Sequence, residues 1–306
     1  MGKKRVTIIE VAKAAGVSPT AVSFAFNNPE RIGAETAERI RALATKMGYA
    51  PSPIARAMIS SKTGAIGILV PSDLTATFAN PFTSYFMEGV SAVCDEHSLS
   101  PLIVSPYESS LDEATRRALV DGYIVLGLDE KHAEIEPLRK RNVPFVIVDG
   151  DAESASEVNV DDEGGAYAAA AHLLAQGHRD IMIVTFEQPP SSHKGDVYYG
   201  VGGRRLRGYQ RAFAESGASF SYDLLVQAAT SVAGGAEAFK AAWSQGFHPS
   251  AVLAMSDAMA IGVCRAARDL GLWIPADLEV IGFDDLPLSS LLSPSLSTVH
   301  QSITEK

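Results

Sequence analysis

The chain has 306 residues, of which 46% are hydrophobic and 20% charged, with a formal net charge of −10. This length is sufficient for two or three domains with filled cores, and no apolar run approaches the 18 residues of a membrane-spanning helix, so composition excludes a membrane protein and a disordered one. The basic start Met1–Arg5 leads into a helix-capping sequence instead of an apolar export segment, and we therefore expect a cytoplasmic protein.

A helix-turn-helix pattern follows immediately. Thr7 and Glu10 form a T-x-x-E capping box ahead of an apolar helical spacing, and Gly16 ends this helix. Ser18 supplies an N-cap and Pro19 the first position of a second helix. The pattern is typical of DNA readers, although a helical hairpin without a DNA role has the same pattern. The residues expected on the outer side of the second helix are Pro19, Thr20, Ser23, Phe24 and Asn27.

The distribution of charge favours the DNA-binding interpretation. Residues 1–62 contain ten basic and four acidic residues, a net charge of +6, while the remainder carries −16. A basic end on an acidic protein has an electrostatic reason to lie on phosphates.

A third helix is predicted from about Ala34 to Met47, after a polar turn at residues 28–31, and Gly48 ends it. Prolines in the next segment break the helix, and the short helical pattern at 54–59 would be marginal alone. That segment is either an inert linker or one that becomes ordered on DNA. The expected core of the three helices is Val11, Val22, Ile40 and Leu43.

From Ala65 onward, apolar strand-like runs alternate with helical patterns, which predicts parallel sheets covered on both faces. The similarity between residues 145–149 and 279–284 suggests two doubly wound α/β subdomains. Ligands of such sheets bind beyond the carboxyl ends of the strands, which here form a cleft between two lobes. The predicted strands are 65–70, 102–105, 123–126, 145–148, 181–185, 224–227, 251–255 and 278–281, and the predicted helices are 82–96, 113–119, 133–141, 164–176, 205–216, 235–244 and 258–270.

Two carboxylates end apolar strands and are candidates for the cleft. Asp149 and Asp284 could accept hydrogen bonds from ligand hydroxyls, or they could cap the next helix. Asp257 is interpreted as the N-cap of a helix beginning at Ala258. The two cysteines lie in apolar helical patterns and the seven histidines show no ligand spacing, so no metal and no cofactor is expected.

Between Thr7 and about Ile59, the segments V-S-P-T-A-V-S, N-N-P-E-R, G-Y-A-P and A-R-A-M occur in an order that resembles the lactose/galactose repressor (LacI/GalR) family of bacterial transcription regulators. The rest of the chain resembles that family's periplasmic-binding-protein-like sensor. The resemblance implies a headpiece at 1–50, a hinge at 51–63 and an effector-binding core at 64–306. The first lobe would be about 64–157 plus a return near 290–306, and the second about 158–289.

The resemblance also implies roles for individual residues. Pro19, Thr20, Ser23 and Phe24 would read bases. The DNA backbone would be contacted by Thr7, Ser18, Asn27, Arg31, Thr36 and Tyr49, and Ala55 and Met58 would lie at the minor groove as hinge residues. The effector would be bound by Asp149, Arg205, Ser256 and Asp284, with Arg205 opening the R-x-x-G-[FYW] motif; the alternative for Arg205 is a solvated residue at a helix start.

The sequence departs from the family pattern at several positions. Phe24 stands where some members place an arginine on a guanine, and Met58 stands where the hinge often inserts leucine. Thr230 occupies the position of an aromatic stacking residue, for which Tyr198 or Tyr199 would be substitutes. In the family, a further helix and strands normally follow the region that ends at Lys306, so we expect either a shortened protein or a fragment.

The sequence therefore predicts a cytoplasmic, non-enzymatic transcription regulator, a repressor that binds double-stranded operator DNA as a homodimer and responds to a small effector such as a sugar. Whether the effector induces or corepresses stays open. An alternative is a solute-binding sensor of periplasmic-binding-protein type without specific DNA readout, against which the basic headpiece argues. An enzyme is disfavoured because the sequence has no phosphate loop, metal spacing or nucleophile elbow.

Overall fold

The computed structural model describes residues 6–52, 57–58, 62–106, 110–187 and 200–306, and it divides into an N-terminal unit, Met1–Thr63, and a core unit, Gly64–Lys306. Between residues 6 and 52 the N-terminal unit contains a 3-10 turn at Pro29–Arg31 and three helices. These are α1 (Ile8–Ala15), α2 (Pro19–Asn27) and α3 (Ala34–Met47).

Capping side chains begin α1 and α2, as the sequence predicts. The hydroxyl of Thr7 accepts from the Glu10 amide at 3.3 Å, while the Glu10 carboxylate accepts from the Thr7 amide at 2.8 Å. The Ser18 hydroxyl accepts from the Ala21 amide at 3.1 Å and starts α2. Gly16 ends α1 with a left-handed φ of 67°, a conformation that glycine adopts at little cost. In the core of this unit Val11, Val22 and Ile40 are fully buried and Leu43 is partly buried.

In the predicted hinge, residues 57 and 58 are helical and the Met58 side chain is 81% exposed. Ala55 lies outside the described residues.

The first lobe of the core unit is built on a five-stranded parallel sheet with the order β2-β1-β3-β4-β5. Apolar side chains bury both faces of its central strands against helices. The strands are β1 (Ala65–Leu69), β2 (Ser100–Val104), β3 (Gly122–Leu126), β4 (Phe145–Val148) and β5 (Ser156–Val158), and the helices are α4 (Leu74–Ala79), α5 (Phe82–Glu96), α6 (Leu111–Arg117) and α7 (Glu136–Lys140).

The second lobe repeats this arrangement with the order β10-β9-β8-β6-β7, and it holds the largest apolar cluster among the described residues. Its helices are α8 (Asp162–Ala175), α9 (Gly200–Ser216), α10 (Val232–Ser244) and α11 (Asp257–Asp269). Its strands are β6 (Ile181–Phe186), β7 (Leu225–Ala228), β8 (Ala251–Ala254), β9 (Glu279–Asp284) and β10 (Ser297–His300). The predicted fold class, a helix-turn-helix headpiece with two doubly wound subdomains, is confirmed.

The end of the chain contributes to both lobes. β10 pairs with β9, from Ser297 opposite Ile281 to His300 opposite Asp284, so it extends the second sheet. Leu286, between β9 and β10, and Ile303, after β10, both pack into the first-lobe cluster that contains Phe86.

No single helix in the described part of the chain is long and apolar enough to cross a membrane; α1 and α2 pass that test only as a pair bent by 103°. Cys94 and Cys264 are free thiols, and burial raises the pKa of Cys264 to about 11.

Candidate functional site

The outer face of α2 carries most of the predicted base-reading residues. Pro19 and Thr20 are exposed, and Ser23 is half-buried and accepts from the Asn27 amide nitrogen at 3.3 Å. Phe24 is half-buried, and the Arg31 guanidinium lies 5.5 Å from the centre of its ring. The ring and the guanidinium therefore form one surface feature at the end of α2.

The residues predicted to contact the DNA backbone are mostly exposed in the N-terminal unit. Tyr49 packs edge-on against Phe26, with ring centres 5.9 Å apart, and burial raises the pKa of its phenol. Among the others, Thr7, Ser18, Asn27 and Arg31 are exposed and Thr36 is half-buried.

Two arginines of the basic headpiece have structural partners that the sequence analysis missed. Arg39 donates to the Ala15 carbonyl at 3.1 Å, and Arg41 donates to the Ala25 carbonyl at 2.7 Å. Both carbonyls lie in the last turn of a helix, where cations are favourable. These two charges thus tie α3 to α1 and α2.

A cavity of about 490 Å³ lies in the core unit where the carboxyl ends of both sheets meet. The four predicted effector residues all line it, namely Asp149, Arg205, Ser256 and Asp284. It also contains side chains that the sequence analysis did not propose, because they follow strands or begin helices without a distinctive motif: Phe82, Asp129, His132, Phe186, Glu187 and Gln301.

Arg205 is the central cation of this cleft, and only 3% of it is exposed, which excludes the solvated alternative. Its Nε donates to Asp162 at 2.9 Å, a second nitrogen donates to the Met255 carbonyl, and the guanidinium lies 3.9 Å from Asp284. The guanidinium carbon is 3.5 Å from the centre of the Phe283 ring. The planar group is therefore held in one orientation by charge, hydrogen bonds and an aromatic face.

Asp162 was not identified from the sequence, yet it is fully buried and organises the cleft from the start of α8. One carboxylate oxygen accepts from Arg205 and the other from Arg204, both at 2.9 Å. The adjacent Asp161, not Asp162, is the N-cap of α8. Two consecutive aspartates before a helix are typical of ordinary N-capping. The sequence around Asp162 therefore gave no indication of a buried ion pair.

Asp284 ends β9 with a φ of 136° and is 3% exposed. One of its oxygens accepts from the Gln301 amide at 2.5 Å, and the other from the Asp257 amide at 3.4 Å. Burial raises the pKa of Asp284 to about 7, against the opposing effect of the Arg205 guanidinium. It can therefore accept from a ligand hydroxyl when ionised and donate when protonated.

Asp149 is the corresponding acid of the first lobe. It follows β4 with a left-handed φ of 58° and is 8% exposed. Its Oδ1 accepts from the Lys306 ammonium at 2.5 Å. Neither Asp149 nor Asp284 is the N-cap of the helix that follows it, and both line the cavity; Asp284 also accepts from the first amide of α11.

The interpretation of Asp257 as a helix N-cap was wrong. Ser256 is the N-cap of α11, and its hydroxyl accepts from the Met259 amide at 3.3 Å. Asp257 begins the helix fully buried, and it accepts from Ser289 at 2.6 Å and from the Leu286 amide at 2.8 Å. Its role is structural, as expected, but it holds the loop after β9 in place, and burial raises the pKa of its carboxyl.

Thr230 lines the cavity, so the second lobe presents a hydroxyl where the family resemblance implies an aromatic ring. Phe186, at the end of β6, supplies a ring in the same cavity and lies 5.8 Å from the Arg205 guanidinium. Tyr198 and Tyr199 lie outside the described residues.

Models of two protein families match the chain. Residues 7–52 match the bacterial regulatory proteins of the lacI family, and residues 170–306 match the periplasmic binding protein-like domain.

Curated relatives match along nearly the whole chain. The HTH-type transcriptional regulator DegA of Bacillus subtilis is 30% identical over 98% of this chain and 88% of its own length. Catabolite control protein A of Priestia megaterium is 29% identical over 97% of this chain and 87% of its own length. The HTH-type transcriptional repressor PurR of Aliivibrio fischeri is 31% identical over 96% of this chain and 86% of its own length.

Solved structures show the same architecture. The lac repressor dimer bound to operator and the anti-inducer ONPF is 25% identical, covers 99% of this chain and 89% of its own, and superposes with a TM-score of 0.78. A LacI-family regulator from Enterococcus faecium with bound ribose is 29% identical and has a TM-score of 0.65, and the match covers 79% of this chain and 85% of that one. With a helix-turn-helix unit, a two-lobed core and relatives matched over nearly its full length, this chain belongs to the LacI family of bacterial transcription regulators.

Proposed function

We propose that this chain is a repressor that binds a pseudo-palindromic operator as a homodimer and changes its operator affinity when a small molecule occupies the cleft. One observation carries the proposal: the chain joins a capped helix-turn-helix with an exposed polar face to a two-lobed core whose cleft brings Asp149, Arg205 and Asp284 together. A solute-binding protein needs the second feature but not the first.

Recognition of DNA is assigned to α2. Pro19, Thr20 and Ser23 face bases of each half-site, and Phe24 contacts a thymine methyl group, because it has no donors for a bidentate bond to guanine. The neighbouring Arg31 reaches phosphate. The other backbone contacts come from Thr7, Ser18, Asn27, Thr36 and Tyr49.

The hinge is assigned to the centre of the operator. Two hinge segments pair there, and the exposed Met58 side chain enters the minor groove as an apolar wedge. Ala55 is assigned to the same groove from the family resemblance alone.

The effector is a sugar or a related metabolite that bonds to the strand-end acids, Arg205 and Ser256. Relatives in the family have been solved with ribose and with cellobiose. A ligand that bridges acids from two lobes favours one relative orientation of the lobes, and this orientation alters hinge pairing. The effector then changes DNA affinity by the same factor by which DNA changes effector affinity, with a sign that distinguishes an inducer from a corepressor.

The proposal is tested first by selecting bound sequences from a random duplex pool with the purified chain at moderate salt. We expect a two-fold symmetric motif, because a homodimer presents two copies of α2. Phe24→Ala should relax preference at one position per half-site. Recovery of no motif by the wild type would overturn specific readout and favour a solute-binding sensor.

The response to the effector is tested by measuring the dissociation constant for the recovered duplex by fluorescence anisotropy, with D-ribose, cellobiose and a wider panel of sugars added. A ligand that shifts the dissociation constant of the wild type, and not that of Arg205→Lys, supports the cleft as the site. An equal shift in both proteins would remove Arg205 from the effector site.

A further inference from the structure

A lysine ammonium group is buried in the wall of the cleft. The Lys306 side chain is 3% exposed, and its Nζ lies 2.5 Å from Asp149 Oδ1 and 2.6 Å from Gln301 Oε1. The same nitrogen is 5.4 Å from the centre of the Phe82 ring. A carboxylate, an amide oxygen and an aromatic face are three groups that bind a primary ammonium ion.

The orientation of Gln301 is fixed from the second lobe. Its amide nitrogen donates to Asp284, which is itself paired with Arg205, so its amide oxygen must point toward Lys306. Because only the oxygen can accept a hydrogen bond, reversing the amide would break both contacts. The acceptor for the ammonium group is therefore built into the site rather than supplied by a mobile side chain.

The three groups that hold the ammonium also face the ligand cavity. Phe82, Asp149 and Gln301 line it, whereas Lys306 lies behind them. Among the described lining residues, Arg205 is the only arginine or lysine, against the acids Asp129, Asp149, Glu187 and Asp284. Lys306 thus decides whether Asp149 meets a ligand as half of an ion pair or as an uncompensated anion.

We propose that Phe82, Asp149 and Gln301 form a primary-ammonium subsite in the cleft wall, that Lys306 fills this subsite, and that its occupancy makes the cleft select uncharged ligands over amine-bearing ones. The selectivity rests on the proposed function of the cleft as the effector site. The subsite itself does not depend on DNA binding.

The test replaces the tethered ammonium with a free one. Lys306→Ala removes three methylene groups and the ammonium, which together correspond to n-propylammonium. Isothermal titration and thermal unfolding are measured with n-propylammonium chloride at constant ionic strength, and 1-propanol serves as the uncharged probe. Lys240→Ala is the matched control, because Lys240 forms an exposed pair with Asp269.

We expect K306A to bind n-propylammonium at least about tenfold more tightly than the wild type or K240A, since a charge-assisted contact becomes available. 1-Propanol should show no such gain, and D149N/K306A should lose it. Equal binding of the amine by K306A and K240A, or by K306A and D149N/K306A, would overturn the subsite.

A measurement on the wild type covers the case in which K306A does not fold. A buried, hydrogen-bonded ammonium exchanges its protons slowly, so Lys306 should give a resolved ¹H–¹⁵N NMR cross-peak that disappears in Lys306→Arg. If no lysine ammonium signal is assigned to position 306, the proposal is wrong. Operator binding measured on the same preparations, with and without the panel of sugars, tests the proposed function separately, because the amine titration involves no DNA.

Discussion

The single residue Arg205 compensates the charge of two buried carboxylates. Asp162 is fully buried and Asp284 nearly so, and each lies within 4.0 Å of the guanidinium. Ionised groups in such surroundings are stabilised only by close partners, so loss of the cation leaves uncompensated charge.

We therefore expect Arg205→Ala to reduce the free energy of unfolding of the core unit by about 3–5 kcal/mol, the usual cost of breaking a buried pair. Urea unfolding measures it. Arg211→Ala is the control, since Arg211 pairs with Glu163 at 3.2 Å on the surface and should cost less than about 1 kcal/mol. Similar costs for the two variants would show that the buried network is not electrostatically coupled.

The raised pKa of Asp284 predicts that the free energy of unfolding depends on pH. Its pKa is raised to about 7 by burial, well above the value of about 4 for an unfolded aspartate. The folded state therefore holds this proton more tightly than the unfolded state, so the contribution is fully present below about pH 4 and is lost as pH rises toward 7.

The measurement compares the free energy of unfolding of the wild type with that of Asp284→Asn from pH 4 to 8. We expect the wild type to lose stability relative to the variant as pH rises. Asp269→Asn is the control, because Lys240 lowers the pKa of the exposed Asp269 and its titration lies below this range. A constant difference between wild type and D284N across the range would contradict the raised pKa.

Sequence alone predicted the cleft residues that end strands or belong to a motif, such as Asp149, Asp284 and Arg205. It could not predict Asp162 or Lys306, whose partners lie 43 and 157 positions away. Such partners depend on tertiary packing, of α8 against α9 for Asp162 and of the chain end against the first lobe for Lys306. Neither spacing nor composition contains that information. The Asp257 carboxylate likewise bonds to partners 29 and 32 positions away, and Ser256 is the N-cap of α11 instead.

At the scale of elements, the accuracy of the predicted bounds follows the strength of the local signal. Helix α3 has its predicted bounds, and Gly48 ends it as expected. Helix α5 coincides with the helix predicted at 82–96. Helix α9 begins five residues before its prediction, since packing outweighs the low helix propensity of its glycines. The edge strand β5 was not predicted, because three residues are too few to show the alternation of apolar and polar side chains that indicates a strand.

The packing of α8 against α9 gives a prediction at Gly208, within the R-L-R-G-Y segment. A Cβ atom at Gly208 would lie 2.2 Å from the Glu163 carbonyl oxygen and 2.8 Å from the Tyr167 amide, both backbone atoms of α8. The two helices can therefore approach this closely only when no side chain intervenes.

Gly208→Ala should cost about 1–3 kcal/mol of unfolding free energy, because the helices must separate, even though alanine favours a helix more than glycine does. Thermal or urea unfolding tests it, with Gly33→Ala as a control where the nearest atom to an added Cβ is 3.9 Å away. A stabilised G208A protein would show that propensity outweighs packing here.

At the scale of the whole molecule, the two units have separate apolar cores. The N-terminal cluster draws its members from residues between Val6 and Tyr49, and the clusters of the core unit draw theirs from residue 66 onward. A unit of this small size is only marginally stable, whereas the core unit buries several times more apolar surface.

Calorimetry of the full chain should therefore show two unfolding transitions, the lower one belonging to the N-terminal unit. Val22→Ala should lower only the first and Leu173→Ala only the second, because each side chain is fully buried in its own core. The selected operator duplex should raise the first transition by mass action, since its proposed contacts all belong to the headpiece and the hinge. A single transition that both substitutions lower together would mean that the units unfold cooperatively, and the operator would then stabilise the cleft as much as the headpiece.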